Sequence, residues 1–194
     1  MPVFTQHVRR HSRRLRARAI ARRCTALIGF VLASLIAHAQ GTADEAGIRT
    51  AMLINMARFT EWPAWKMDAG HPQFLICILG ADPIDRYAER ILDHQTINDK
   101  PVSVRHLKSG DAIEPCHVLY VSVANRKYLA QSQAKITCGA VLTVSELSND
   151  ITRDQMVGLP VDGDHIRIEI NLTLAQRSGL RISSRILRIA SVTP

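Results

Sequence analysis

Residues Phe74 to Leu79 read FLICIL, and Gly80-Ala81-Asp82-Pro83 follows at once. A continuous apolar run of this length is the mark of a strand buried on both faces. Gly80 ends the run, Asp82 is placed as a helix N-cap, and Pro83 suits the first helical position. Ile84, Tyr87, Ala88, Ile91 and Leu92 then form one helical stripe to about Asp93. The unit is therefore strand, turn, helix.

The same alternation continues toward the C-terminus. Asn98-Asp99 marks a turn before a half-buried strand, Val102 to Leu107. His117 to Ser122 (HVLYVS) is a second buried strand, Asn125 to Gln133 a polar helix, and Ala140 to Val144 a third central strand. Then the pattern changes. Met156 to Val161 and His165 to Asn171 flank Asp162-Gly163 as a hairpin, with Ile166, Ile168 and Ile170 on one face. Arg167, Glu169 and Asn171 face the other way, as a salt-bridged surface or a partner surface. Leu172 to Ser178 reads as a short helix closed by Gly179, and Leu180 to Ala190 as a last helix carrying Ile182, Ile186 and Ile189.

Toward the N-terminus, Asp44 to about Glu61 reads as a helix with Ile48, Met52, Asn55, Met56 and Phe59 on one face. Trp62-Pro63 ends it, because the residue before proline is pushed out of the helical region. Trp62 is expected to close the core, and Trp65, in the following loop, to be an exposed contact residue. Strands alternating with helices predict an α/β single-domain sandwich. The expected sheet is mostly parallel, with an antiparallel C-terminal hairpin and helices on both faces.

Residues 1–39 read differently. Met1 to Arg23 holds eight arginines and no acidic residue, Cys24 to Ala37 is almost wholly apolar, and Ala37-His38-Ala39 supplies small residues at a cleavage spacing. This is the pattern of a cleavable, Sec-type signal peptide, and it implies export to a periplasm. The whole chain has 25 Lys+Arg against 17 Asp+Glu. Without residues 1–39 the counts are 17 and 17, so residues 40–194 carry no net charge. A nucleic-acid partner is therefore not expected, since phosphate binding needs a retained basic face.

Catalytic patterns are missing from the sequence. Ser145, Ser183 and Ser184 have no nucleophile-elbow context, and the Gly80 turn lacks the glycine spacing of a phosphate loop. His71, His94, His106, His117 and His165 show no metal-ligand spacing. No enzyme activity, metal or cofactor is expected. Cys77 lies inside the first central strand and Cys116 opens the next, so neighbouring strands would bring them within bonding range. They are a disulfide, or two buried thiols acting as small apolar fillers. Cys138 is left over, as a free thiol or an intermolecular one.

Leu53 to Pro63, LINMARFTEWP, resembles the opening helix of the YfiR-like periplasmic repressors, whose pattern is close to L-Y-N-F-A-K-F-V-E-W-P. FLICILGADP, the Asn98 to Val102 turn, CHVLYVS, AVLTVSE, RIEINL and GLRISSRILRIA follow in the family's order over about residues 46–192. The positions carrying the resemblance include Asn55, Phe59, Glu61, Trp62, Pro63, Gly80, Arg167, Glu169, Asn171, Ser183 and Ser184. It implies a regulator that binds the periplasmic sensor domain of an inner-membrane diguanylate cyclase and holds it inactive. An outer-membrane lipoprotein partner is implied as well, and the family's central disulfide falls on Cys77 and Cys116. The rival reading is a periplasmic small-ligand binding protein with its pocket at the carboxyl ends of the central strands. A homodimer would form through an apolar helix face or Cys138.

Overall fold

The computed structural model describes residues 45–68, 70, 72–92, 94–148 and 154–193. The leader at 1–39, the N-cap Asp44, His71 and Asp93 lie outside those residues.

Five parallel strands make the centre of the sheet, and the FLICIL run is one of its inner strands, with a parallel neighbour on each side. β1 (Thr60–Glu61) and α2 (Ala64–Met67) precede β2 (Phe74–Leu79), which is followed by α3 (Asp85–Leu92), β3 (Thr96–Ile97) and β4 (Lys100–Leu107). Next come β5 (Val118–Val121), a 3-10 turn at Val123–Asn125, α4 (Lys127–Gln131), α5 (Gln133–Cys138) and β6 (Leu142–Ser145). The last third holds β7 (Val157–Gly158), β8 (Val161–Asp162), β9 (His165–Ile166), β10 (Glu169–Asn171), α6 (Leu172–Arg177), β11 (Arg181–Ile182), α7 (Ser184–Leu187) and β12 (Ser191–Thr193). Helix α1 covers residues 45–58.

The main sheet has the order β12-β10-β7-β6-β5-β2-β4-β3. β2 pairs in parallel with β4 on one side and β5 on the other, with Ile76 between Val104 and Val118. β5–β6 and β6–β7 are also parallel, whereas β7–β10 and β3–β4 are antiparallel. The connection β2-α3-β4 moves outward in one direction and β5-α4-α5-β6 in the other. Right-handed crossovers then place α3 and α4–α5 on opposite faces. Burial on both faces explains why β2 and β5 are apolar without alternation: Ile76, Cys77, Ile78, Leu79, Val118 and Leu119 are all fully buried. At the amino edge of the sheet, Trp62 meets Phe74 edge-on at 5.0 Å, and the His117 ring stacks on Phe74 at 4.4 Å.

Several sequence expectations are corrected. The first helix stops at residue 58, and Thr60–Glu61 pairs antiparallel with Arg181–Ile182 as β1–β11. Its inward face is Ala46, Thr50, Leu53, Met56 and Ala57, while Ile48 and Asn55 point to solvent. Trp65 and Met67 sit in the one-turn helix α2, not a loop. The third helix begins at Asp85; Asp82 still caps the turn, its Oδ1 accepting from the Ile84 N–H at 3.1 Å. The polar helix after β5 breaks at Ser132 into α4 and α5.

Leu180 to Ala190 is not one helix. β11 is pulled into the pairing with β1, α7 keeps a single turn, and β12 joins β10 in parallel. A helix of about eleven residues is marginal alone, so tertiary strand pairing overrides its periodicity. The C-terminal hairpin is also split. Asp162 pairs with His165, so the turn residues are Gly163-Asp164 rather than Asp162-Gly163, and beyond this small hairpin β7 pairs with β10.

Candidate functional site

The motif segments at the two ends of the domain meet in space. Glu61 stands opposite Arg181 in β1–β11, with carboxylate and guanidinium 3.7 Å apart. The Ser183 N–H donates to the Phe59 carbonyl at 2.8 Å, and the Ser183 hydroxyl caps α7 by accepting from the Arg185 N–H. Pro63 caps α2 and packs against Gly179, where a Cβ would stand 3.1 Å from the proline ring. Trp62 is buried, its indole N–H without a hydrogen-bond partner among the described residues. Asn55 and Ser184 are exposed.

The Arg167–Glu169–Asn171 face is held by its own bonds. Arg167 reaches Asp162 at 3.5 Å and Glu169 at 3.3 Å; the buried Glu169 carboxylate accepts from the Ser148 hydroxyl at 2.8 Å. Asn171 caps α6 through the Leu174 N–H. Buried Ser145 donates to Gln155 and accepts from the Leu147 N–H. Cys77 and Cys116 form a disulfide with Cα atoms 5.9 Å apart, and Cys138 is a free, exposed thiol.

At the carboxyl edge, β2 and β5 are neighbours whose onward connections run in opposite directions, the topological switch point of the sheet. A cleft of about 440 Å³ opens there between Gly80, Asp85, His106, Lys108, Ser109 and Asn125. Gly80 has φ +89°, and a Cβ at that position would collide with Ser122 Oγ and Asn125 Oδ1. His106 lies 3.5 Å from Asp85 and 3.8 Å from Glu89.

Behind the cleft lies an ionic cluster that the sequence reading missed. Arg49, buried in α1, pairs with Glu146 at 3.1 Å and with Glu45 at 3.8 Å. The Tyr120 hydroxyl donates to Asp82 at 3.4 Å. Removal from water pushes the Asp82 and Glu146 carboxyls above the usual carboxylate range; Arg49 opposes this at both, while neighbouring carboxylates add to it, Asp85 at Asp82 and Asp82 with Glu45 at Glu146. The Tyr120 phenol is pushed up by burial and then by the Asp82 charge. Arg49 shares the buried helix face with Ala46, Leu53 and Met56; the sequence reading chose a face through Ile48 and Asn55 and so missed it.

The amino edge carries a second cleft, of about 450 Å³, between Trp65 and Lys66 of α2, Glu114, and Ala134, Lys135, Cys138 and Gly139 at the end of α5. Trp65 is 57% exposed, whereas Lys66 is buried and donates its ammonium to the Glu114 carbonyl at 2.5 Å. Burial lowers the Lys66 pKa to about 8, with the Glu114 charge acting in the opposite sense. Sequence reasoning singled out Trp65 and Cys138 separately; the structure brings them to one cleft. Lys66 was missed because nothing local distinguishes a buried lysine from a surface one.

Among the described residues, no group of three or more His, Cys, Asp or Glu has the arrangement of a metal site, and no helix is long and apolar enough to cross a membrane. These features define a doubly wound α/β domain, pinned by one internal disulfide and offering clefts at both edges of its sheet. Residues 46–191 match the family described as YfiR/HmsC-like, and the chain belongs to that family. Its members are regulatory proteins of the periplasm.

Proposed function

We propose that this protein is exported by its 1–39 leader, that residues 40–194 are the working domain, and that it represses a membrane diguanylate cyclase. It binds the periplasmic sensor domain of that cyclase in its inactive state more tightly than in its active one, and so lowers cyclic-di-GMP by population shift. Membership of the YfiR/HmsC-like family across residues 46–191 is the observation that carries this reading. The charge balance of residues 40–194 is consistent with a protein partner rather than a nucleic acid. An outer-membrane lipoprotein that sequesters the repressor, and a homodimer, belong to the same proposal. Cellular cyclic-di-GMP in a strain lacking the gene tests it. A rise that the exported protein reverses supports repression; an unchanged level, with folded protein present in the periplasm, overturns it.

The carboxyl-edge cleft favours a second reading, a small-ligand sensor. Its place at the switch point and its polar lining suit a small polar metabolite. A thermal-shift screen against such metabolites tests it, with loss of the shift in Asn125→Ala as the site-specific result.

A further inference from the structure

The amino-edge cleft combines three features that surfaces rarely bring together. The first is an exposed tryptophan. α2 is a single turn whose two central residues point oppositely: Lys66 inward, and Trp65 outward with 57% of its surface in water. Tryptophan is a costly residue to leave in solvent and is enriched where partners anchor.

The second feature is a concave apolar wall beside it. Ala134, Cys138 and Gly139 bound a cleft of about 450 Å³, enough for one large apolar side chain. The wall is small-residue by construction at Gly139, where a Cβ would come within 2.7 Å of the Lys135 carbonyl oxygen.

The third feature is charge. Lys66 gives its ammonium to a neutral acceptor, the Glu114 carbonyl oxygen. The Glu114 carboxylate is 3.9 Å from the Lys135 ammonium. Two ammonium groups thus face one carboxylate, and the cleft carries one positive charge in excess beside apolar walls that weaken screening. An occupant that matches it has an apolar side chain next to a carboxylate.

We propose that the cleft between Trp65 and the end of α5 is the docking site for a loop of a partner protein that places an apolar side chain in the cleft and an adjacent Asp or Glu against the exposed Lys135 ammonium, with the buried Lys66 charge beneath. The inference rests on the repressor reading, in which that loop belongs to the cyclase's sensor domain. The Cys138 thiol lies in the cleft wall and reports on whether the cleft is covered.

The test uses the leader-free protein and the purified periplasmic domains of membrane diguanylate cyclases from the same genome, with affinities read by calorimetry. Trp65→Ala is expected to weaken binding about 30-fold, as a hot-spot truncation does. Lys135→Glu is expected to weaken it about tenfold, with a smaller loss at high salt. Arg86→Glu, exposed on α3 and outside both clefts, leaves affinity unchanged, and the bound domain protects Cys138 from maleimide. If the wild type binds while Trp65→Ala and Lys135→Glu bind as tightly, or Cys138 stays equally reactive in the complex, the cleft proposal is overturned and repression stands. If the wild type binds none of the domains, the repressor reading fails and takes the proposal with it. Binding of a small carboxylate such as phenylacetate, read as a change in Trp65 fluorescence without any protein partner, would also overturn it.

Discussion

The Arg49 guanidinium lies 3.1 Å from the Glu146 carboxylate, and this pair ties helix α1 to the carboxyl end of β6. Among the described residues, Arg49 is the one cation in a cluster that also holds Glu45, Asp82 and Tyr120. Its side chain is only 7% exposed, and its Nε has no hydrogen-bond partner among the described residues. Removing one member of such a pair costs more than the pair contributes, because the other charge stays buried. Arg49→Met is expected to lower stability by about 3 kcal/mol in urea unfolding, at the low end for buried pairs because Glu146 is partly hydrated. Glu146→Gln, which leaves Arg49 with Glu45, is expected to cost about 1 kcal/mol.

Asp82 gives the cluster a pH signature. Its folded-state pKa is raised above the ordinary 3.8 by burial first. The folded protein therefore binds this proton more readily than the unfolded chain. That contribution is complete below the ordinary value and is lost as pH rises through the raised one. Asp82→Asn removes the titration. The stability difference, variant minus wild type, is expected to be more positive at pH 7 than at pH 4. A pH-independent difference in paired denaturation curves would show that Asp82 does not titrate differently in the fold.

The Cys77–Cys116 bridge spans 39 residues between the centre of β2 and the entrance to β5. Closing a loop of that length removes unfolded-state entropy worth about 4 kcal/mol. Cys77→Ala/Cys116→Ala is expected to lower stability by roughly that amount while Cys138 remains reactive in both forms. A midpoint of unfolding that does not move on reduction would show that the bridge is energetically idle.

How much of this could be read from the chain depends on how far each residue's fate was decided locally. FLICIL, HVLYVS and AVLTV were legible because burial on both faces leaves no other composition for a central strand. Placing two cysteines on adjacent strands left a disulfide or two buried thiols, the family resemblance implied the bond, and the structure forms it. Ile182, Ile186 and Ile189 misled because helical spacing is also produced by a strand, a helical turn and a second strand in succession; Ile189 ends 69% exposed. Thr60 and Glu61 were absorbed into a helix because their partner strand lies some 120 residues away, with Glu61 opposite Arg181. The candidate sites were less legible still. Trp65 was recognisable as an exposed aromatic, but its cleft is assembled from α2, Glu114 and α5, and no local pattern announces that meeting.

Gly80 sets the exit of β2 at the switch point. Its φ of +89° lies in the region that side chains avoid, and its missing Cβ makes room for the Ser122–Asn125 side-chain contact. Gly80→Ala must strain the backbone and displace that contact together. The expected loss is about 1–3 kcal/mol, with the carboxyl-edge cleft reshaped. Equal thermal stability of Gly80→Ala and wild type would show that the turn relaxes freely.

Glu61 and Arg181 separate architecture from recognition. They face each other across β1–β11, yet their side chains are 73% and 84% exposed and 3.7 Å apart. Exposed pairs of this kind contribute about 0–0.5 kcal/mol. Glu61→Ala and Arg181→Ala are therefore expected to leave unfolding midpoints essentially unchanged. Both lie in the segments by which the chain resembles its family. If either variant fails to restore low cyclic-di-GMP in the deletion strain while remaining folded, the β1–β11 edge contacts the partner. If both complement fully, these residues serve strand register alone, and recognition is carried elsewhere on the domain.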